Sequence, residues 1–165
     1  MRLAIKELVI KIDMKKTILI SIAILAICGS SCCYLQSDKK MIYDFASEVV
    51  DNTVEVDDVV AKYIKCDKMG KEIAIIFLNH FRKGYAKNTS PESIKIQSYK
   101  KAMRSGTKIG IIAEDYDSDK VFYIYFKDSI KMPILLNDES KIIAISFGLD
   151  KGGDINYFMR LDGEK

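Results

Sequence analysis

The only histidine of the chain, His80, is the first residue whose chemistry could serve a reaction. An imidazole can act as a general base or contact a ligand near neutral pH. His80 lies at helical spacing with Ile73, Ile76, Phe77 and Phe81, which places it on one stripe of a predicted helix. It could line a cavity there, or it could be a packed histidine with both nitrogens bonded. Because no catalytic partner is marked, the pattern favours the packed histidine.

Alternating acids in Asp115-Tyr116-Asp117-Ser118-Asp119 match the beginning of a calcium-binding loop. The match then fails, because Lys120 stands where glycine is needed and Phe126 stands where a bidentate glutamate belongs. The acids therefore predict a solvated hairpin tip, and the sequence predicts no metal site.

Other catalytic patterns are missing from the sequence. It contains no Gly-x-Ser-x-Gly elbow, no P-loop and no dinucleotide fingerprint, so we predict no catalytic residue and no cofactor. Tyr123 and Tyr125 share one face of a predicted strand and could line a cleft with His80 and Phe77, although core packing explains the tyrosines more simply. A basic cluster is interpreted as a solvated helix face; it comprises Lys95, Lys100, Lys101, Arg104 and Lys108.

The stretch Ile18 to Ile27 is apolar except for Ser21, and Lys15 and Lys16 precede it. The twelve residues from Thr17 to Cys28 are too few for a transmembrane helix, which needs about 20. A basic start, a short apolar middle and small residues after it are typical of an export signal. We therefore predict a signal peptide over residues 1–31, with Met1 or Met14 as the true start.

The segment Ile27-Cys28-Gly29-Ser30-Ser31-Cys32 resembles the lipobox of bacterial lipoproteins, in which small residues precede a lipidated cysteine. The resemblance implies lipidation of Cys32 and a membrane anchor. Gly29 departs from it, since leucine is usual there. Cys28 is the alternative lipidation site. Leu25 occupies the expected leucine position before it, but the bulky Ile27 directly precedes it. Ordinary cleavage after Ser31 would instead release a periplasmic protein.

Charge and cysteine content restrict the classes of partner and metal site that the sequence predicts. Residues 1–31 hold five basic and two acidic residues, so they account for the whole net charge of +3. The remaining chain is neutral, which argues against nucleic-acid binding. Cys33 and Cys66 could form a disulfide after export, or Cys66 could stay a free thiol. Ligand spacing for structural zinc is missing.

Hydrophobic periodicity predicts helices first and strands afterwards. A polar tether over residues 32–40 precedes them. The predicted helices cover Ile42–Val49, Val56–Ile64, Lys71–Lys83 with Gly84 ending the third, and Ser90–Arg104. The predicted strands cover Ile109–Ala113, Val121–Phe126, Pro133–Leu136, Ile142–Phe147 and Ile155–Leu161. We expect both faces of Val121–Phe126 to be covered, and Pro133 to mark a strand start or edge. The bulky residues Ile143, Ile145 and Phe147 should face the helices. The last strand should have one common face, formed by Ile155, Tyr157, Met159 and Leu161.

This order predicts an α+β fold, with N-terminal helices packed on a C-terminal antiparallel meander of four to five strands in one domain, residues 41–165. It resembles cystatin-like and nuclear-transport-factor-like folds, and the stretches PILLNDESKIIAISF and GGDINYFM resemble small exported bacterial proteins. The resemblance implies a cone between sheet and helices that binds a small ligand or another domain, and it transfers no site residue.

Three hypotheses on function follow. The first is an exported, lipid-anchored, non-catalytic domain that binds a protein partner or small ligand in a sheet–helix cleft. The second is a periplasmic inhibitor or immunity-type protein that blocks one enzyme. The third, a weak enzyme using His80, has the least support because general acid–base catalysis needs a positioned partner.

Overall fold

The computed structural model describes residues 36–86, 89–106, 111–112, 116–127, 130–146, 155–156 and 158–163. The chain divides into two units, residues 1–38 and 39–165. Residues 36–38 of the first unit begin a helix, and the other described residues belong to the second unit. The predicted signal peptide, with Cys28, Cys32 and Cys33, lies outside the described residues. Within them, no helix is both long and apolar enough to span a membrane.

Apolar residues at helical spacing form the first two helices, as predicted. Helix α1 covers residues 36–50, beginning within the stretch predicted as a tether, and it buries Ile42, Phe45, Ala46 and Val49. Helix α2, Val56–Tyr63, has acidic residues in its first turn, where their negative charge interacts favourably with the positive end of the helix dipole. It buries Val56, Val59, Val60 and Tyr63.

Helix α3, Lys68–Phe81, begins earlier than predicted because the Asp67 carboxylate accepts a hydrogen bond from the Gly70 amide at 2.6 Å. Its predicted end at Gly84 is wrong, since a π-helical turn, Arg82–Ala86, runs through that residue.

The predicted stripe of α3 is only partly correct, because Phe81 is buried while Ile73 and Phe77 are partly buried against the core. The buried residues of this helix are Gly70, Ala74, Leu78 and Phe81, whereas Ile76 is 70% exposed. A β-carbon on Gly70 would lie 1.9 Å from the Leu161 carbonyl oxygen. The helix therefore approaches the chain at Leu161 with its smallest side chains, and this contact fixes which face is inward.

The C-terminal half forms a mainly antiparallel sheet, which confirms the α+β prediction. Helix α4, Tyr99–Arg104, follows the first strand. The strands are β1 Lys95–Ser98, β2 Ile111–Ile112, β3 Val121–Phe126, β4 Ile130–Leu136, β5 Ile142–Ile145, β6 Ile155–Asn156 and β7 Met159–Arg160. Five of them form an antiparallel sheet in the order β1-β3-β4-β5-β7, and β2 pairs with β6 in parallel as a separate two-stranded sheet.

Two predicted elements of this half are wrong. Ser90–Arg104 is not one helix: a 3₁₀ turn, Pro91–Ser93, precedes β1, whose Ile96 pairs with Ile124 of β3. Alternation of Ile94 and Ile96 therefore outweighed the helix-start signal. The predicted last strand divides into β6 and β7, and its predicted common face fails because Met159 is 42% exposed while Leu161 is buried.

Strand β3 is covered on both faces, as predicted. Phe122, Ile124 and Phe126 belong to the core formed with α1, α2 and α3. Tyr123 and Tyr125 point the other way, into a second cluster that contains Ala102 of α4 and Phe158.

A register shift at Leu135/Leu136 interrupts the alternation of β5. Ile142 and Ile145 consequently face the helices, while Ile143 and Ala144 join the second cluster. The prediction that Ile143 and Ile145 share one face is wrong for this reason, and Phe147 lies outside the described residues.

Pro133 lies inside β4, the central strand of the sheet, and not at a strand start or edge. Its carbonyl oxygen accepts a hydrogen bond from the Ser146 amide at 2.9 Å, one residue beyond the end of β5. Pro133 therefore lies where the pairing with β5 ends. Its missing N–H removes no hydrogen bond of that pairing, so the sheet tolerates a proline at this position.

Candidate ligand-binding groove

A surface groove lies at the C-terminal end of α1. Its volume is about 510 Å³, within the range of small-molecule sites. One wall is the end of α1 with the turn that follows, and the other is the segment around the 3₁₀ turn. The lining residues are Ser47, Glu48, Val50, Asp51, Asn52, Thr53, Thr89 and Pro91.

The first wall is shaped by a turn that Asp51 stabilises. The Asp51 amide donates to the Ser47 carbonyl oxygen at 3.1 Å, which ends the helix. Oδ1 of Asp51 then accepts hydrogen bonds from the Thr53 amide at 2.9 Å and the Thr53 hydroxyl at 2.7 Å. Short polar side chains form such turns because they can bond to the backbone two residues on.

Arg82 stabilises this wall by hydrogen bonds to its backbone. Its guanidinium donates to the carbonyl oxygens of Val49 at 2.9 Å, Val54 at 2.8 Å and Glu48 at 3.1 Å. The last carbonyls of a helix lack partners within the helix, so one planar side chain with several donors can satisfy them together. The π-helical turn after α3 thereby fixes the end of α1.

The second wall is set by Pro91, the first residue of the 3₁₀ turn, where its missing N–H costs no hydrogen bond. The Ser93 amide donates to the Ser90 carbonyl oxygen at 3.0 Å and closes the turn. The Tyr43 hydroxyl donates to the Pro91 carbonyl oxygen at 3.4 Å, which links α1 to this wall.

Two hydroxyl groups in the groove have no partner among the described residues. Oγ of Ser47 and Oγ1 of Thr89 are inaccessible to solvent, and neither makes a hydrogen bond within the described part of the chain. Thr89 as a whole is only 9% exposed. Buried polar groups in folded proteins almost always find a partner, so two such groups lining one groove require an explanation.

Two carboxylates add acceptors to the same lining. Oε1 of Glu48 accepts hydrogen bonds from the Lys62 ammonium at 2.5 Å and the Tyr63 hydroxyl at 2.7 Å. The bond to Glu48 raises the pKa of Lys62, and burial raises the pKa of Tyr63. The Thr53 hydroxyl, followed by the Thr53 amide, lowers the pKa of Asp51, so that carboxylate is ionised at neutral pH.

The lining therefore has an excess of hydrogen-bond acceptors. Oδ2 of Asp51 and Oε2 of Glu48 accept no hydrogen bond from the described residues. Among the described residues of the lining there is no lysine or arginine. No base contacts the two hydroxyls within the described part of the chain, so nothing there activates them as nucleophiles. The arrangement suits binding.

The four residues predicted to line a cleft do not lie together. His80 is exposed on α3, and Phe77 is partly buried at the edge of the helix-side core. Tyr123 and Tyr125 lie in the cluster on the opposite face of the sheet. Tyr123 stacks on Tyr99 with ring centroids 6.5 Å apart, and burial raises the pKa of Tyr125. Buried side chains of the described helices and of the sheet pack on one another between the two layers, where the cleft was expected.

Residues 116–119 of the acidic run form a turn, as predicted, while Asp115 lies outside the described residues. The turn is not the tip of a hairpin, because β2 pairs with β6 while β3 pairs with β1 and β4. Oδ1 of Asp117 accepts the Asp119 amide at 2.9 Å, and Asp119 contacts Lys100 of the basic cluster at 2.6 Å. Among the described residues, no three His, Cys, Asp or Glu side chains are grouped to hold a metal.

Cys66 is a free, partly buried thiol. Burial raises the pKa of this thiol, which disfavours the reactive thiolate.

Sequence reasoning missed the groove. Asp51-Asn52-Thr53 has the composition of a turn that bonds to its own backbone, and that signal was available. Nothing in the sequence pattern indicates that this turn meets Thr89 and Pro91, which are more than thirty residues away. Comparison of the chain with protein-family models, with curated proteins and with solved structures finds no match.

Proposed function

We propose that this chain is a non-catalytic binding domain and that its ligand occupies the groove at the end of α1. The single observation that carries the proposal is the pair of unpartnered hydroxyls, Ser47 and Thr89, in one groove. A buried hydroxyl without a partner costs about 1–3 kcal/mol, and rotation of either side chain about χ1 into the groove would let a bound polar ligand recover that cost. The packing of the described helices directly on the sheet supports the groove over the cleft expected from the sequence.

We further propose that the domain is exported and held at a membrane of the cell envelope through lipid on Cys32, with Cys28 as the alternative. The short apolar stretch Ile18–Ile27 and the lipobox-like residues after it support this proposal. Mass spectrometry of protein from its native host tests it. We expect a processed chain that begins with an acylated cysteine. An intact, unacylated chain recovered from the cytosol would contradict export.

The binding proposal is tested by NMR on the full ¹⁵N-labelled chain, titrated with a panel of glycerol, glucose, acetate and butylammonium. We expect at least one fragment to shift the amide signals of residues 47–53 and 89 saturably. Signals around Asp117, which forms a similar turn away from the groove, serve as the internal control. Shifts confined to other surfaces, no shift at all, or turnover of ester, peptide or glycoside substrates would count against a binding domain that uses this groove.

The alternative role, an inhibitor or immunity-type protein, stays a prediction from the sequence. It requires a protein partner, and a pull-down from the native host that recovers none would weaken it.

A further inference from the structure

The outward face of α3 has apolar side chains that the core does not use. Met69 is 69% exposed and Ile76 is 70% exposed, and they are seven residues apart, which is about two turns of helix. Ile73 lies between them and is only partly buried. A row of apolar side chains along one face differs from single exposed apolar residues, because a continuous patch is typical of a contact surface.

We infer that this face of α3 pairs with the same face of a second copy of the chain, with the two helices antiparallel across a two-fold axis near Ile76. In such a contact the same patch is used on both copies, so each apolar row covers the other. The antiparallel arrangement also brings the positive end of each helix dipole near the negative end of the other. This inference goes beyond the proposed function, which concerns the groove.

Charge complementarity favours a second copy as the occupant of this face. Glu72 lies four residues before Ile76, and Lys83 lies seven residues after it. Both side chains are exposed, and both lie within about 60° of Ile76 around the helix axis. Measured along the helix, they lie about 6 Å and about 10 Å from Ile76 on opposite sides. The two-fold axis therefore brings Glu72 of each copy beside Lys83 of the other.

The remaining lysines at the start of α3 leave this face to Glu72. Lys71 is turned toward its own chain, where its ammonium contacts the Asp57 carboxylate of α2 at 3.5 Å. Lys68 lies further round the helix from Ile76 than Glu72 does. The acidic part of the face is therefore near its N-terminal end and the basic part near its C-terminal end, which suits an antiparallel pair and opposes a parallel one.

The size of the contact predicts its strength. Helix α3 has 14 residues and is about 21 Å long, so one helix pair buries less than the roughly 1,200–2,000 Å² of a stable interface. Interfaces of that standard size have dissociation constants from about micromolar downwards, so this smaller contact should have a value above about 1 µM. The association should therefore be reversible and should appear only at high protein concentration.

NMR spectra of the full ¹⁵N-labelled chain test the inference, recorded from about 20 µM to about 1 mM to span the expected range. We expect the amide signals of residues 69–83 to shift with concentration along a saturating curve, while those of residues 47–53 in the groove stay unchanged. Sedimentation velocity over the same range should show a monomer converting to a dimer.

Two matched variants locate the contact. Ile76→Lys places two like charges together at the two-fold axis and should weaken the association about tenfold or more. Met103→Lys makes the same change on α4, where Met103 is 50% exposed, and should leave the association unchanged.

A charge exchange tests the antiparallel arrangement. Glu72→Lys and Lys83→Glu should each weaken the association about fivefold, because each replaces two attractive pairs with two repulsive ones. The double variant Glu72→Lys/Lys83→Glu should recover the affinity of the wild type, because it restores both pairs with the charges exchanged.

Several results would overturn the inference. A monomer at every concentration would do so, as would shifts confined to other surfaces or shifts at residues 69–83 that Ile76→Lys leaves unchanged. No loss of affinity in the single charge variants, or no recovery in the double variant, would contradict the antiparallel pair. The groove proposal is independent of all these outcomes, since none of the substituted residues belongs to its described lining.

Discussion

At the scale of single residues, the buried hydroxyl of Thr89 is the feature that packing does not explain. A valine would fill the same space without a polar atom, and the fold offers the hydroxyl no partner among the described residues. Ser47 repeats the pattern on the facing wall. Polar groups kept where an apolar side chain would serve stability better are typical of binding sites, since stability and function compete there.

Thr89→Val should therefore stabilise the protein by about 1 kcal/mol, because it removes an unsatisfied buried hydroxyl without changing the side-chain volume. Urea denaturation measures the effect as a higher midpoint. Thr53→Val is the matched control, and it should lower the midpoint because the Thr53 hydroxyl donates to Asp51 at 2.7 Å. A loss of stability in Thr89→Val would indicate that the hydroxyl has a structural partner.

Asp51 gives a prediction about pH. The Thr53 hydroxyl lowers the pKa of Asp51 below its ordinary value of 3.8, so the folded state favours the ionised carboxylate. This contribution to stability is complete above pH 3.8 and is lost as the pH falls through the lower folded-state pKa.

Thr53→Val should raise the pKa of Asp51 toward 3.8, whereas Thr53→Ser, which keeps a hydroxyl, should leave it low. A ¹³C NMR titration of the Asp51 carboxyl carbon measures both variants. Equal pKa values in the wild type and Thr53→Val would show that the hydroxyl bond is not the cause.

At the scale of elements, periodicity predicted α1 and α2 and the position of β3, but not the inward face of α3. The predicted stripe runs through Ile73, Ile76 and Phe77, yet Ile76 is exposed and the other two are only partly buried. The close approach of Gly70 to Leu161 decided the orientation. A contact between residues so far apart in the chain leaves no periodic signal, and the same limit applies to the register shift in β5.

Gly70→Ala should destabilise the protein by about 1–3 kcal/mol, because the added methyl group would overlap the Leu161 backbone. Gly84→Ala is the matched control, since its β-carbon would meet nothing within 4 Å, and its stability should match or slightly exceed that of the wild type. The free energy of unfolding from denaturant titration compares the two. Equal effects of both substitutions would contradict the packing argument.

At the scale of the whole molecule, the order of helices and strands was sufficient to predict an α+β fold. The pairing of strands was not predictable, because β2 leaves the meander to pair with β6, and β1 takes its place beside β3. The candidate groove was missed for a related reason. Its walls come from residues 47–53 and 89–91, and only the folded chain brings them together. The cleft-lining residues predicted from the sequence were instead His80 and the tyrosines of β3, which stand out by residue type.

The measurement that tests the account most directly is a parallel NMR titration of the wild type and a Ser47→Ala/Thr89→Val double variant with the fragment panel. We predict that at least one fragment saturates the groove of the wild type. Its affinity should fall about tenfold in the double variant, which loses two hydrogen bonds to the ligand, while the free energy of unfolding does not decrease. No saturable binding in the wild type, or equal affinity in both proteins, would contradict a ligand-binding role for the groove.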